Sequence, residues 1–519
     1  MPDVWLSNDR KMKTCLSITL FLLFGQIFTV AQAQPNKTLT DSLRDKVLTQ
    51  AEMQSDFRYL RRALVETHPG LYRYQTREEM SHEMDSVGAL LNRDMSFYSY
   101  YRLLAALMAD IRCAHSGILP RRNLKNVLAA GKGFPYGVIY AGAHAYVTLS
   151  AAPDTIVKPG YEILSINGLA IDSVTAILLR HLWSDGYIVT GKLRTLADAF
   201  FCFYYYLFVD QPDTFSITCK GPTGLVVNVK ENAVNFADYE NIAAANPVNA
   251  AMLKIYSPRS RLNRAKPQRV DFHKEHDAAV MTIRSFGIGR TGDEAAEKMT
   301  DFWKKCLKEI REKKVGNLII DLRDNPGGWD NEGEVLFTYL IDTPTYYYRR
   351  FHSVTDSSEF LQLSSISKEE QKHLKEELTP ERDGTFTVKE EYNKTLAMQY
   401  PQKDRFTGKV YFLVNGGSAS STGEFAAMAH SNRLGVFVGE ETQGNYTGGN
   451  GGEFIPLVLP QTRIFVNIPL LYYDNAVVPP AQVGRGTIPD YIVPYNIKDI
   501  LSGTDTQRNF IYGLIKNSN

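Results

Sequence analysis

The chain has 519 residues and a formal net charge of +1, with 22% charged and 44% hydrophobic residues. This balance is typical of a globular protein and excludes a disordered or fibrous one, and the length allows roughly two to four domains with ample core. The sequence has no block of basic residues, so nothing in it indicates nucleic-acid binding.

The N-terminus has the pattern of a secretory signal peptide. Lys11 and Lys13 precede an apolar run over residues 16–30, and an A-Q-A cleavage site follows, so residues 1–33 would be removed. Met12 is an alternative start. A membrane anchor is the other interpretation, but the run is short and polar residues follow it at once. We therefore expect an exported protein, periplasmic or extracellular, without stable membrane insertion.

Residues 49–118 show the apolar periodicity of helices and predict an N-terminal helical subdomain over residues 41–130. The first helix should end at His68-Pro69-Gly70, because proline disfavours helical geometry in the residue before it. From about residue 133 the pattern changes to short strands and turns.

Residues 156–168 read I-V-K-P-G-Y-E-I-L-S-I-N-G, which resembles the core signature of a PDZ domain. A turn glycine precedes a strand there, and an Asn-Gly hairpin follows it. We therefore predict a PDZ-like, β-rich domain over residues 133–235. Such a domain could present extended peptides by strand addition, or it could be a scaffold with an occluded groove.

Strands and helices alternate in the remaining chain and predict an α/β core over residues 250–519. The expected elements are a strand at 278–285, a helix at 293–313, a strand at 318–322, a helix at 333–341 and a strand at 463–471. Residues 354–405 are charged and polar, so we predict a surface insertion there that could act as a lid.

Two segments of this core carry the chemistry. Residues 410–414 predict a buried strand and residues 425–429 a helix, with Ser420 on the turn between them. That geometry exposes a hydroxyl beside free helix N–H groups and suits a nucleophile, although Ser and Thr are also ordinary N-caps. Residues 316–329 read G-N-L-I-I-D-L-R-D-N-P-G-G-W, a strand followed by two glycines whose N–H groups can approach a developing negative charge.

Together with G-E-E-T-Q-G-N at residues 439–445, these segments resemble the tail-specific, or C-terminal-processing, serine peptidase family. Its members carry an I-I-D-L-R-x-N-x-G-G strand and loop, a T/S-A-S-A-S-E nucleophile turn and a G-E-x-T-x-G loop. The resemblance implies a multidomain α/β protein with a serine-peptidase core built on a mixed sheet. It also implies a peptide or protein substrate and no cofactor.

An ungapped match to the nucleophile turn places Ser420 on the nucleophile, and a shift by one residue would place Ser421 there. For the oxyanion site we expect the N–H of Gly327 or Gly328 together with that of Ser421. Asp321 and Arg323 are expected to fix the loop through an ion pair.

Many family members use a lysine base where this chain has Asn445, which cannot accept a proton. M-A-D-I-R-C-A-H-S-G, ending at residue 117, resembles instead the D-x-H-T/S motif of the tricorn-like branch, so we predict His115 as the general base. That branch orients its histidine with a distal carboxylate. The candidates are Glu453, Asp474 and Asp490, and Asp490 is alternatively a structural part of a turn.

Metal catalysis is not expected, because H-K-E-H at residues 273–276 lacks the H-E-x-x-H spacing. The four cysteines that would remain after processing select no disulfide pairing, and a buried thiol is favoured for Cys113. We predict a serine peptidase. The alternatives are a non-catalytic member of the same fold that binds peptides or small apolar ligands, and a scaffold that recruits partners.

Overall fold

The structure is a computed structural model that describes residues 43–124, 127, 131–287 and 291–518. The predicted signal peptide at residues 1–33 lies outside the described residues. Among the helices in these described ranges, none is long and apolar enough to cross a bilayer.

The N-terminal region is helical, with two short strands that pair antiparallel. Its elements are β1 (Val47–Leu48), α1 (Gln50–Thr67), α2 (Arg77–Leu90), β2 (Met95–Ser96) and α3 (Phe97–Asp110). Capping boxes fix the starts of α1 and α2, because Thr49 and Thr76 each exchange hydrogen bonds with the glutamate three residues later. As predicted, α1 ends before Pro69, with His68 as its C-cap residue.

A β-rich region follows. Its elements are β3 (Ile118–Leu119), β4 (Lys132–Gly133), β5 (Tyr136–Ala141), β6 (His144–Ser150), β7 (Glu162–Ile166), β8 (Leu169–Ala170), α4 (Ile171–His181), α5 (Thr190–Thr195), α6 (Ala199–Phe208), β9 (Thr214–Lys220), β10 (Val226–Asn232) and β11 (Val234–Asn235). An antiparallel sheet runs in the order β10-β9-β7-β6-β5, with β8 paired to β7. Asn167 and Gly168 join β7 to β8 with φ values of +50° and +79°, the positive values that a tight hairpin requires.

The outer edge of this sheet is partly covered by the chain itself. The N–H of Val138 on β5 donates to the carbonyl of Asp198 at 3.2 Å, and the N–H of Asp198 donates back at 2.6 Å. Helix α6 begins directly after this contact. An edge that is already paired cannot add a peptide strand at the same position. The contact therefore favours the scaffold interpretation of the predicted PDZ-like domain.

The α/β core contains the remaining elements. They are α7 (Tyr239–Ala245), α8 (Ala250–Ala265), β12 (Gln268–His273), β13 (Ala278–Ile283), α9 (Gly292–Glu312), β14 (Asn317–Asp321), α10 (Asp330–Thr338), β15 (Thr345–Tyr346), β16 (Tyr348–Ser353), α11 (Lys368–Glu377), β17 (Leu378–Pro380), β18 (Phe386–Val388), β19 (Met398–Gln399), β20 (Lys409–Val414), α12 (Ser421–Ser431), β21 (Val436–Gly439), β22 (Asn450–Val458), β23 (Phe465–Asn475), β24 (Tyr491–Ile492), α13 (Ile497–Ser502) and α14 (Thr506–Ser518).

The central sheet of this core has the order β12-β13-β14-β20-β21-β24. Only β12 runs antiparallel to its neighbour, so the sheet is mixed, as the family resemblance implies. Since β14 and β20 are parallel neighbours, the loops at their carboxyl ends lie side by side. These loops are the Gly-Gly loop and the serine turn.

A second sheet, in the order β17-β18-β16-β23-β22, lies beside the first. The predicted insertion at residues 354–405 contributes α11, β17 and β18 to this layer, and α11 has no buried residue. The N–H of Ser365 in the insertion donates to the carbonyl of Phe454 on β22 at 2.8 Å. Strand β3, which begins three residues after His115, pairs with β23 and so attaches the segment that carries His115 to the core.

Several predicted elements have other bounds in the structure. The strand predicted at 278–285 is β13, which ends at Ile283. The helix predicted at 333–341 is α10, which begins at Asp330 because acidic residues suit the first turn of a helix. The strand predicted at 463–471 is β23, which begins two residues later and continues to Asn475.

Candidate active site

Ser420 lies on the tight turn between β20 and α12. Its φ and ψ angles are +52° and −134°, a backbone conformation that costs a residue with a side chain about 1–3 kcal/mol. A strained strand-to-helix turn of this kind projects a nucleophile away from the sheet. Ser420 occupies the N-cap position of α12, yet its hydroxyl makes no capping hydrogen bond. Helix capping therefore does not account for this serine.

The Ser420 hydroxyl contacts a histidine from the other end of the chain. Nε2 of His115 lies 3.2 Å from Oγ of Ser420. The contact depends on β3 and β23, because Asn467 on β23 binds both sides of the histidine loop. Its side-chain Nδ2 donates to the carbonyl of His115 at 3.0 Å, and its N–H donates to the carbonyl of Gly117 at 2.8 Å.

A second histidine supports the same loop. Nδ1 of His68 accepts a hydrogen bond from the N–H of Gly70 at 3.0 Å, so Nε2 carries the proton and donates to Oγ of Ser116 at 2.6 Å. Burial lowers the pKa of His68 to about 4, so this ring stays neutral and its contact with Ser116 persists at neutral pH. The sequence indicated only a helix end here, and nothing in its pattern pointed to this contact.

The His115 imidazole is in the state that a base requires. Burial lowers its pKa below the ordinary value, while the negative charge of Asp185 acts in the opposite direction. The ring is therefore neutral near pH 7. For Nε2 to accept the Ser420 proton, Nδ1 must carry the ring proton, and Nδ1 is buried without a hydrogen-bond partner among the described residues.

The three carboxylates considered as the third member have other partners. Glu453 accepts a hydrogen bond from the Ser365 hydroxyl, and Asp474 lies 3.6 Å from Arg350. Asp490 accepts from the N–H of Phe437 at 2.8 Å, which is the structural role considered as its alternative. In the described part of the chain, none of the three forms a hydrogen bond or ion pair with the His115 imidazole.

Asp185 is the carboxylate that acts on this histidine. Only 5% of the residue is exposed, and its Oδ1 accepts a hydrogen bond from the N–H of Ala114 at 2.7 Å. It also interacts with the N–H of Asn445 and with the charge of Arg73. Asp185 precedes a glycine, so the sequence indicates only a turn there, and the contact could not be found from any local pattern.

Gly327 and Gly328 pack against the serine turn. Gly327 has φ +97°, and a Cβ on it would lie 2.7 Å from Cβ of Ser420, so only glycine fits. Its N–H donates to Oδ1 of Asn325 at 3.0 Å. Two N–H groups have no acceptor among the described residues. One belongs to Gly328, which is exposed, and the other to Ser421, at the first position of α12. These two donors suit an oxyanion site best.

Asn445, which stands at the family's lysine position, has structural partners. Its Nδ2 donates to the Tyr74 hydroxyl, and its Oδ1 accepts from the N–H of Thr447 at 3.1 Å. These contacts hold the loop that follows β21 against the N-terminal region.

The predicted ion pair between Asp321 and Arg323 is confirmed. Nη2 of Arg323 lies 2.7 Å from Oδ2 of Asp321, and Arg284 binds the same carboxylate at 2.7 Å. Arg323 also pairs with Asp505 at the start of α14, at 2.8 Å. Despite burial, the two guanidinium groups hold the pKa of Asp321 well below its usual range. This network fixes the chain where the Gly-Gly loop begins.

Within the described ranges, no group of three or more His, Cys, Asp or Glu side chains is arranged to hold a metal ion. The H-K-E-H segment forms a short 3₁₀ turn, Lys274–His276. The four cysteines Cys113, Cys202, Cys219 and Cys306 are buried and unpaired.

Comparisons with known proteins identify a family for part of the core and solved structures with a similar fold. Residues 277–459 match the model of peptidase family S41. Mature CPAF is similar in structure, with a TM-score of 0.58 and 15% identity over 90% of this chain and 97% of CPAF. Mature CPAF complexed with lactacystin gives a TM-score of 0.56 and 14% identity over 90% and 98%. A search of curated proteins found no match.

The likeness to CPAF, at these identities, shows a shared fold that extends over nearly the whole chain. The family model covers the part of the core that contains both the Gly-Gly loop and the serine turn. Residues 277–459 therefore form a peptidase domain of family S41, the tail-specific, or C-terminal-processing, serine peptidases, and the chain is a serine-type peptidase.

Proposed function

We propose that this chain is exported and hydrolyses peptide bonds through an acyl-enzyme on Ser420, with His115 as the general base. The 3.2 Å contact between Nε2 of His115 and Oγ of Ser420 supports this proposal most directly. A serine hydroxyl needs an adjacent base to act as a nucleophile, and a neutral imidazole within hydrogen-bond reach supplies one. Export is supported by the signal-peptide pattern of residues 1–33.

The reaction has two stages. Oγ of Ser420 bonds to the peptide carbonyl carbon as its proton passes to Nε2 of His115, and the N–H groups of Gly328 and Ser421 stabilise the negative oxygen. The C–N bond then breaks, and Nε2 returns the proton to the departing amine. In the second stage, water attacks the acyl carbon as Nε2 of His115 takes one of its protons. Nε2 then returns this proton to Oγ of Ser420, which releases the acid and restores the hydroxyl.

Asp185 serves in this proposal as a positioning residue. Its hydrogen bond from the N–H of Ala114 fixes the backbone next to the base. Its negative charge stabilises the imidazolium that forms on His115 when the serine proton is transferred. This assigns to Asp185 the function that the sequence left open among three other carboxylates.

The competing function is a binding protein with an inert core. The chain has Asn445 where other members have a lysine base, and Nδ1 of His115 has no described partner. A fluorophosphonate probe separates the two functions, because it modifies only an activated serine. We expect the folded wild-type protein to be labelled and the label to map to Ser420. A folded protein that takes up no label would rule out the peptidase mechanism.

Asp185→Asn is expected to lower kcat by roughly 10- to 100-fold with little change in KM, because the imidazolium loses its nearby negative charge. Asparagine can still accept from Ala114, so the loop should keep its position. Since Asp185 raises the pKa of His115, its removal lowers that pKa and should move the acid limb of the kcat/KM profile to lower pH. Arg73 also interacts with Asp185, and its positive charge is present in both the wild-type protein and this variant.

Asp474→Asn is the matched control, and it should leave both kcat and the acid limb in place. If Asp474→Asn shifts the profile while Asp185→Asn does not, the orienting carboxylate is Asp474.

A further inference from the structure

Four carboxylates surround the serine turn. Asp330 follows Gly328 by two residues, and Glu334 lies one turn further along α10. Glu424 is in the first turn of α12, where its N–H donates to the carbonyl of Ser420 at 3.0 Å. Glu453 on β22 precedes Phe454, whose ring centre lies 5.9 Å from that of His115. All four are half-buried, and they come from three elements that bound the proposed site.

Helices α10 and α12 meet closely at this point. A Cβ on Gly333 of α10 would lie 3.4 Å from Cβ of Phe425, the residue after Glu424. The same position lies 3.0 Å from the hydroxyl of Tyr347. The carboxylates of α10 and α12 are therefore neighbours, with a tyrosine between them.

Tyrosines form the walls of this region. The Tyr348 hydroxyl donates to Oε2 of Glu424 at 2.6 Å. The Tyr348 ring packs on Tyr347 at 4.8 Å and on Tyr473 at 5.5 Å, measured between ring centres. The hydroxyl of Tyr473 interacts with the charges of Asp330, Glu424 and Glu453. We call the region defined by Asp330, Glu334, Glu424 and Tyr347 the acidic pocket.

The acidic pocket has no cationic partner among the described residues. No Lys, Arg or His contributes to the interactions that shift the pKa values of its three carboxylates. Burial, followed by repulsion from Asp330, raises the pKa of Glu334 to about 8. Burial is also the main reason that the pKa of Glu424 rises to about 8. With no cation present, these two groups are therefore mostly protonated at neutral pH, and a bound cation would favour their charged form.

An independent observation points to a ligand at the same place. The hydroxyl of Tyr347 is fully buried and has no hydrogen-bond partner among the described residues. It lies in the field of Glu424, Glu334 and Asp330. Buried hydroxyls nearly always have a partner, and a donor that fits among carboxylates would supply one to the Tyr347 oxygen. An ammonium or guanidinium group meets that description.

We propose that the acidic pocket binds the cationic side chain of a lysine or arginine residue adjacent to the scissile bond of the substrate. This inference rests on the peptidase function proposed above. The carboxylates neutralise the charge, the Tyr347 oxygen accepts a hydrogen bond, and the tyrosine rings pack on the cation and its aliphatic stem. A metal ion is a poorer occupant, because no suitable group of three ligands exists within the described ranges.

The test begins with cleavage-site profiling of the full chain on a mixed peptide library. We expect lysine and arginine to be enriched at one position beside the cut. Fluorogenic peptides that differ only there, with lysine or the uncharged isostere norleucine, should then differ in kcat/KM by roughly 10- to 100-fold, the range for a hydrogen-bonded charge. Glu424→Gln and Glu334→Gln should each reduce this ratio. Glu391→Gln, on the exposed surface of the insertion, should leave it intact.

Fluorophosphonate labelling separates failure of this inference from failure of the peptidase function. A protein that is labelled at Ser420 but cleaves lysine and norleucine peptides equally overturns the acidic-pocket assignment alone. A ratio that survives in both glutamine variants also overturns it. Two glutamate variants are used because the ratio can be measured in either one if the other does not fold.

Discussion

Ser420→Ala is expected to abolish fluorophosphonate labelling and to lower peptide hydrolysis by on the order of 10⁴- to 10⁶-fold, because alanine has no oxygen to form the acyl-enzyme. The folded state should be unaffected, since the Ser420 hydroxyl makes no capping bond and alanine keeps the same Cβ at φ +52°. Initial rates on a cleavable peptide and the mass of the labelled protein measure the two effects. Thermal unfolding confirms that the variant is folded.

His115→Ala should cause a loss of similar size, and the double variant should lose little more than either single one. The two groups act as a unit, so once one of them is removed, removing the other lowers the rate little further. Ser421→Ala is the matched control, because it keeps the backbone N–H and should retain labelling. If Ser421→Ala abolishes labelling and Ser420→Ala does not, the motif is shifted by one residue and Ser421 is the nucleophile.

The contact between Ser420 and His115 could be predicted because each residue lies in a short motif of its own. The structure pairs the strands before Ser420 and before Gly327 as parallel neighbours, which brings their following loops together. The absence of lysine at position 445 then favoured a histidine as the base. Both assignments rest on the resemblance of these motifs to those of the peptidase family.

Asp185 could not be predicted by the same reasoning. Its hydrogen bond to Ala114 joins two turns that are 71 residues apart, and no periodicity or spacing connects them. The insertion at 354–405 shows a similar limit, because its charged composition indicates an exposed loop. Its strands β17 and β18 are ordered by pairing with each other and with β16. Contacts between distant segments depend on the packed fold and leave little trace in composition.

Asp321→Asn is expected to lower the free energy of unfolding of the core by about 3–5 kcal/mol, because it leaves two guanidinium groups without their shared carboxylate. Arg323 is only 3% exposed, and the single negative charge of Asp505 cannot neutralise both arginines. The urea midpoint of the transition reported by core tryptophan fluorescence measures the loss. Asp342→Asn, at an exposed position, should leave the midpoint unchanged.

The pH dependence of this difference tests its electrostatic origin. Because the pKa of Asp321 is lowered in the folded state, its contribution is present above the unfolded pKa, about 3.9, and is lost as the pH falls through the folded value. The two proteins should therefore differ most near neutral pH and converge in strong acid. The network also fixes the start of the Gly-Gly loop, so the folded fraction of Asp321→Asn should be labelled more slowly at Ser420. Equal unfolding midpoints near neutral pH would show that the network contributes little to stability. An unchanged labelling rate would show that contacts with Ser420 and Phe286 position the loop instead.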